Sequence, residues 1–247
     1  MALAIAEPAP PSARPRPRAS ARARGLLLAL ALLPVLLIAA TGFTEELLAL
    51  VAARYGLAAR ERVEAWDALI RGGQGLDDAA KLEQVNRFFN RLRFVADDDH
   101  WGQRDYWATP IEFLGTNGGD CEDFSIAKYF TLREMGVPDE RLRITYVRAL
   151  DLRQAHMVLA YYPAPDADPL ILDNLVDQVR PGRQRPDLVP VYSFNGDGLW
   201  KARLDGEGRR VGVADGVRPW RALTARMRLE GSPGVVSSAP GATSARP

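Results

Sequence analysis

The sequence contains very little cysteine and histidine. Cys121 is the only cysteine in 247 residues, and His100 and His156 are the only histidines. One cysteine excludes an intramolecular disulfide and a zinc site built from several thiolates. Cys121 is therefore either a small buried thiol or a reactive nucleophile, and a nucleophile would have only two histidines as candidate bases.

The chain also lacks a large excess of either charge. Its formal net charge is +1, but five arginines and one glutamate give the first 42 residues a charge of +4, which leaves −3 for the remainder. A mildly acidic body has no basic face for a phosphate backbone, so we expect no nucleic-acid partner. The apolar share of 47% allows a core of ordinary size.

The main apolar run, residues 26–40, is short for a membrane span and is interrupted by Pro34. It follows an arginine-rich segment and ends in small residues, with Ala40 before Thr41 as a cleavage point. This pattern is typical of a secretory signal peptide, and the alternative is an uncleaved anchor. Either a signal peptide or an anchor places the rest of the chain outside the cytoplasm, which in a Gram-negative bacterium means the periplasm.

The sequence therefore predicts three regions: a signal peptide or anchor over residues 1–40, one domain over 41–230, and a tail over 231–247. The tail is rich in glycine, serine, proline and alanine, and we expect it to be disordered.

The order of elements in the body predicts an α+β fold. Helical spacing covers residues 44–71, with a break at Gly56, and continues after a cap at Asp77 or Asp78. Residues 96–119 are rich in glycine, aspartate and aromatics and are interpreted as a long irregular loop. A cysteine-bearing helix follows, and then come three strand-like runs at residues 141–150, 156–162 and 169–175.

The segment NGGDCEDFSIAKYF, residues 117–130, places Cys121 in the first turn of its helix. Asp120 is a natural N-cap, and Asp123 three positions later fits a capping box. Free backbone N–H groups and the helix dipole favour a thiolate at this position. The same N–H groups can bind an oxyanion formed on a substrate carbonyl.

A base and an orienting group for this nucleophile lie on the strands that follow. His156 opens one strand-like run, and Asp173 interrupts the next apolar run. Paired as a hairpin, these strands would place Asp173 beside His156, which predicts a Cys-His-Asp arrangement. The residues alone also allow a buried thiol, an exposed histidine and a turn aspartate.

Several blocks between about residues 66 and 200 resemble the bacterial transglutaminase-like cysteine peptidases of the LapG type. They are GGDCEDFSIAKYFTLREMGVP, LRITYVRA, AHMVLAYY, LDNL, RPDLVPVYSFNGDGLW and TPIEFL. The catalytic cysteine, histidine and aspartate of the family correspond to Cys121, His156 and Asp173. The resemblance implies a papain-like or transglutaminase-like core, in which the cysteine helix packs on an antiparallel sheet.

The resemblance also implies calcium-dependent endoproteolysis in the periplasm. In such systems the peptidase cuts the N-terminal region of a large surface adhesin, and the release promotes biofilm dispersal. An inner-membrane receptor that senses cyclic di-GMP sequesters the peptidase. Asp120 and Glu122 match positions that the family uses for Ca²⁺, which prefers carboxylate oxygens. Asp123 is a weaker candidate, because its capping role is sufficient to explain it.

Three other functions remain open at this point. The same triad could transfer the acyl group to an amine, as a transglutaminase does. The chain could be a non-catalytic, calcium-dependent binding module. A metal hydrolase could use His100 with Asp97, Asp98 and Asp99, although adjacent acids lack helical ligand spacing and favour a solvated loop.

Overall fold

The computed structural model describes residues 43–202 and 208–232. Its helices are α1 Glu45–Tyr55, α2 Leu57–Gly73, α3 Asp78–Phe89, α4 Asp97–His100, α5 Pro110–Thr116, α6 Cys121–Glu134 and α7 Arg218–Glu230. Its strands are β1 Arg93–Phe94, β2 Gly118–Gly119, β3 Leu142–Ala149, β4 Gln154–Tyr161, β5 Leu170–Leu172, β6 Arg180–Pro181, β7 Leu188–Phe194, β8 Leu199–Lys201 and β9 Arg209–Gly212.

The first helices begin where the sequence predicts, and α2 ends at Gly73, two residues beyond the predicted span. Gly56 separates α1 from α2 with φ of +91°, a left-handed conformation that glycine adopts without strain. The Asp77 side chain accepts a hydrogen bond from the backbone N–H of Ala80 and caps α3. Local capping and break signals were therefore sufficient for this part of the chain.

The prediction of an irregular loop over residues 96–119 is wrong in part. The short helices α4 and α5 lie within it. Thr109 and Glu112 form a capping box around Pro110, which occupies the first turn of α5. Proline at that position and a glutamate three residues after a threonine are helix-start signals, but the surrounding glycines and aspartates obscured them.

Seven strands form one antiparallel sheet in the order β6-β5-β4-β3-β7-β8-β9. The central pair is β3 and β4, whose register places His156 opposite Val147. A separate two-residue parallel pair joins β1 to β2, with Phe94 opposite Gly119. This small pair brings the chain after β1 close to the start of α6.

Helix α6 is the centre of the core. Its side chains from Glu122 to Leu132 are buried, and it contacts β4, α3 and α5. The Trp66 indole of α2 donates a hydrogen bond of 2.7 Å to Thr131, so this buried hydroxyl of α6 is paired. Helix α6 is thus packed between the sheet and the N-terminal helices.

These elements confirm the predicted α+β class, with N-terminal helices and a cysteine-bearing helix packed on an antiparallel sheet. The predicted segment 1–40 and residues 233–247 of the predicted tail lie outside the described residues. Of that tail, Gly231 ends α7 and Ser232 is buried. Within residues 43–202 and 208–232, no helix combines the length and apolar character of a membrane span.

Candidate active site

Cys121 is the first residue of α6, directly after its cap. The Asp120 side chain and the Asp123 side chain each bond the other's backbone, which forms the predicted capping box. The Cys121 thiol donates a hydrogen bond of 3.1 Å to Glu122 Oε2. Burial raises the pKa of the Cys121 thiol well above its ordinary value, and the charges of Glu122 and Asp120 raise it further.

His156 and Asp173 form a buried pair on neighbouring strands. His156 is the third residue of β4, Asp173 follows β5, and the two strands pair as an antiparallel hairpin. His156 Nε2 lies 2.8 Å from Asp173 Oδ1, and each residue is at most 4% exposed. The distance agrees with the hairpin that the sequence predicts.

The ionisation of Asp173 decides which nitrogen of the histidine is free. Burial would raise the pKa of Asp173, but His156, the Leu175 backbone N–H and Arg185 together lower it to about 2. An ionised carboxylate only accepts hydrogen bonds, so we assign the proton to His156 Nε2, which donates to Oδ1. Nδ1 is left with a lone pair and can act as a base.

Cys121 and His156 line the same cleft, which has a volume of about 510 Å³. Aromatic side chains form part of its wall, with Tyr146 and Tyr192 stacked at a ring-centroid distance of 5.0 Å. Asp173 lies behind His156 and does not line the cleft. A nucleophile, a base and an orienting carboxylate are thus arranged from the cleft inwards, as acyl transfer requires.

An acidic cluster adjoins the cysteine. Ligand atoms of Asp97, Asp120 and Asp123 lie within 4.8 Å of one another, and the same holds for Asp120, Cys121 and Glu122. Asp97 is buried at the start of α4, and the β1–β2 pair brings it beside Asp120. Five potential ligands from two segments therefore converge at the start of α6.

The cluster suits a hard divalent cation. Burial, then the charge of Asp120, raises the pKa of Asp97 to about 6. Burial, then Glu122, raises the pKa of Asp120 to about 8. Among the described residues, Asp97 Oδ1 and Asp120 Oδ1 are buried without a hydrogen-bond partner. Both Asp123 oxygens accept backbone N–H groups, from Ala108 and Asp120.

A bound Ca²⁺ would offset the repulsion among these carboxylates and would pair their unpartnered oxygens. Ca²⁺ takes oxygen ligands rather than sulfur, so the carboxylates and not the thiol would bind it. Asp120 and Glu122, the predicted ligands, lie where they could hold it, whereas Asp123 is occupied by its capping role. The sequence analysis named Asp97 only as a partner of His100 and did not place it at the calcium site. Asp97 lies 23 positions before Asp120 and reaches it through the two-residue strands.

The residues of the metal-hydrolase alternative do not come together. Within the described part of the chain, Asp97 groups with Asp120 and Asp123 rather than with His100. Asp98 and Asp99 are exposed, and His100 Nε2 lies 2.8 Å from the Thr116 hydroxyl. That alternative therefore has no assembled site.

A helix-borne cysteine and a strand-borne histidine that line one cleft, beside an antiparallel sheet, define a cysteine hydrolase of the papain-like and transglutaminase-like class. Residues 73–188 match the family described as bacterial transglutaminase-like cysteine proteinase BTLCP. No protein with a curated description matches the chain.

The chain is also similar to solved structures of LapG from Legionella pneumophila. The EGTA-treated form is 44% identical with a TM-score of 0.66, and the match covers 74% of this chain and 96% of that one. The calcium-bound form is 44% identical with a TM-score of 0.65, and the match covers 75% and 99%. The chain belongs to the bacterial transglutaminase-like cysteine proteinase family and is a cysteine peptidase with a transglutaminase-like fold.

Proposed function

We propose that the chain is a periplasmic, calcium-dependent cysteine endopeptidase that uses Cys121, His156 and Asp173 as its catalytic triad. Its substrate would be the N-terminal region of a large surface adhesin, whose cleavage releases the adhesin and promotes biofilm dispersal. The observation that carries the catalytic part is the shared cleft of Cys121 and His156, with Asp173 2.8 Å behind the imidazole.

In the first half of the reaction, His156 Nδ1 takes the proton of the Cys121 thiol, and the sulfur attacks a peptide carbonyl carbon. The carbonyl oxygen becomes an oxyanion, which backbone N–H groups in the first turn of α6 can stabilise. Collapse of this intermediate breaks the C–N bond. The imidazolium returns its proton to the leaving amine, and a thioester on Cys121 remains.

In the second half, water attacks the thioester while His156 Nδ1 accepts its proton. The thiolate leaves and regains that proton, and the new carboxyl end of the substrate is released. Asp173 stays ionised throughout and holds the imidazole through Nε2. No other reactant is needed, so the net reaction is hydrolysis of one peptide bond.

Asp120 and Glu122 would hold Ca²⁺, with Asp97 contributing from α4. The ion would supply positive charge that offsets the repulsion among these acids and its effect on the nearby thiol. Supporting this, the Glu122 carboxylate accepts the thiol hydrogen bond, and two carboxylate oxygens of the cluster are buried without partners. In Legionella, LapG has been solved in a calcium-bound form.

The location and partners rest on other grounds. The arginine-rich segment followed by the apolar run of residues 26–40 supports export to the periplasm, with or without retention as an inner-membrane anchor. The adhesin substrate and a cyclic di-GMP receptor that sequesters the peptidase are supported by the family resemblance.

The test is cleavage of an N-terminal fragment of a large surface adhesin from the same genome. The full chain, Cys121→Ala and Asp98→Asn are each assayed with calcium and with a chelator. Asp98 is the matched control because it is an exposed acid next to Asp97. Cleavage that requires both calcium and the thiol, and that Asp98→Asn leaves unchanged, supports the proposal.

Other outcomes identify the rival functions. If a labelled amine is incorporated into the fragment in place of hydrolysis, the enzyme is a transglutaminase. If the Cys121→Ala variant still releases adhesin from cells, the chain acts as a binding module. If cleavage continues in the presence of the chelator, the enzyme uses the triad but does not require calcium.

A further inference from the structure

Asp173 is held from both sides of its carboxylate. Oδ1 accepts from His156 Nε2 at 2.8 Å and from the Leu175 backbone N–H at 3.0 Å. Oδ2 lies 2.8 Å from Arg185 Nη2, in an ion pair whose side chains are 0% and 6% exposed. The angles of this contact fall outside those of a hydrogen bond, so the two groups are paired by charge. Apart from His156, Arg185 provides the side-chain contact to this carboxylate that the structure describes.

Arg185 is itself fixed by a second acid. Its Nε donates to Asp187 Oδ1 at 3.0 Å, and its Nη2 donates to Asp187 Oδ2 at 2.8 Å. A guanidinium bound through two parallel hydrogen bonds has a defined plane as well as a defined position. The loop is tied down at both ends, since the Gly182 N–H donates to Pro169 O and the Leu188 N–H donates to Arg185 O.

A separate contact fixes the backbone of Asp173. Asn90 Nδ2 on the C-terminal side of α3 donates to the Asp173 carbonyl oxygen at 2.9 Å, and buried Lys128 donates to Asn90 Oδ1 at 2.7 Å. The backbone position is therefore set by α3 and α6. The rotation of the carboxylate about its side-chain bonds is left to His156, Leu175 and Arg185.

The carboxylate has to be both ionised and correctly rotated. A buried carboxylate without a cationic partner tends to take up a proton, and a protonated acid could no longer serve only as the acceptor for Nε2–H. A carboxylate free to rotate would allow the imidazole to turn or to change tautomer, which removes Nδ1 as the base. The cationic Arg185 beside Oδ2 opposes protonation of the carboxylate and limits its rotation.

We propose that Arg185 is a positioning residue for the peptidase reaction, acting through Asp173 on His156. The positive charge of the guanidinium attracts Oδ2 to its side of the carboxylate, which keeps Asp173 ionised and fixes the plane of the carboxylate. The tautomer and orientation of the imidazole follow from that plane. The inference rests on the proposed triad. It assigns a role to a residue outside the cleft, in the loop between β6 and β7.

The test compares Arg185→Gln, Arg185→Lys and the matched control Arg183→Gln in the full, calcium-loaded chain. Arg183 lies on the same loop, its side chain is 73% exposed, and it pairs with Asp168 at 3.4 Å. For cleavage of the adhesin fragment, we expect Arg185→Gln to lower kcat about tenfold or more, with KM within about twofold. Arg185→Lys should recover part of the loss, and Arg183→Gln should match the unsubstituted enzyme.

A second readout does not depend on any substrate. In ¹⁵N-histidine spectra the two histidines of the chain give separate ring signals, and His100→Gln assigns those of His156. We expect the unsubstituted enzyme and Arg183→Gln to show one tautomer protonated at Nε2. Arg185→Gln should show a mixture of tautomers, and Arg185→Lys should lie closer to the unsubstituted enzyme.

The inference is overturned if Arg185→Gln keeps both kcat and the single Nε2–H tautomer. It is also overturned if Arg183→Gln reproduces the changes, because the loop rather than the ion pair would then be responsible. If Arg185→Gln fails to fold, the test uses Arg185→Lys instead. A kcat and a tautomer identical to those of the unsubstituted enzyme in Arg185→Lys would contradict the geometric role of the guanidinium. If no form cleaves the fragment, the proposed substrate is wrong, and the spectra still decide the role of Arg185.

Discussion

Lys128 lies on α6 behind the catalytic pair and is 1% exposed. Burial lowers the pKa of its ammonium group to about 7, against the attraction of Asp173 and Asp177. Its Nζ donates to Asn90 Oδ1 at 2.7 Å and lies 5.7 Å from the centroid of the Phe124 ring. We predict that this lysine makes the free energy of unfolding increase as the pH rises from 7 to 9.

The sign follows from proton linkage. In the unfolded chain a lysine has a pKa of about 10.4, so between pH 7 and that value the unfolded state binds up to one more proton than the folded state. Stability therefore rises with pH, by about 2 kcal/mol between pH 7 and pH 9. For a domain of this size, that corresponds to an increase in Tm of about 4–8 °C.

The assay is thermal unfolding at pH 7, 8 and 9 in the presence of calcium, with Lys128 and with Lys128→Met. Both are made in a Cys121→Ala background, because burial raises the pKa of the thiol and its titration would oppose the effect. The Tm difference between the two proteins should change by several degrees across this range in the predicted direction. Parallel pH profiles would refute the assignment of a buried, partly neutral lysine.

Two further predictions concern the acidic cluster. Asp97→Asn should weaken calcium binding by about tenfold in titration calorimetry, because it removes one negative charge from the site. Asp98→Asn, at an exposed acid, should leave the affinity for calcium unchanged. Equal calcium affinities of the Asp97→Asn variant and the unsubstituted protein would exclude Asp97 as a ligand. Gly119→Ala should lower the free energy of unfolding by about 1–3 kcal/mol, since an added methyl group would clash with Asp123. Gly75→Ala is the control for Gly119→Ala, because a methyl group at Gly75 meets open space. Both variants are measured in denaturant titrations, and an equal loss of unfolding free energy in the two would contradict the clash.

The parts of the site that could be predicted from sequence are those set by local signals. Asp120 and Asp123 have the spacing of a capping box, which predicts a helix start and places Cys121 in the first turn. The strand-like runs around His156 and Asp173 are close enough in sequence to pair as a hairpin, so their contact follows from pairing alone. The α+β class was predictable for the same reason, because each element carries its own pattern.

The parts that were missed depend on contacts between distant segments. Asp97 reaches Asp120 through a parallel pair of two residues per strand, too short to leave a periodic pattern. Arg185 reaches Asp173 from a loop between two strands, and nothing in its neighbouring residues marks it as buried. Helix α5 was missed although its capping box is visible, because glycine and aspartate dominate the surrounding segment.

The central claim is that the Cys121 thiol, activated through His156, cleaves a peptide bond in a calcium-dependent manner. The most direct measurement is mass spectrometry of an adhesin fragment incubated with the full chain and with Cys121→Ala, with calcium and with a chelator. We predict one defined cleavage by the unsubstituted enzyme with calcium, and an intact fragment in the other three reactions. Cleavage by the Cys121→Ala variant would contradict the claim, because a chain without the thiol has no nucleophile for this reaction.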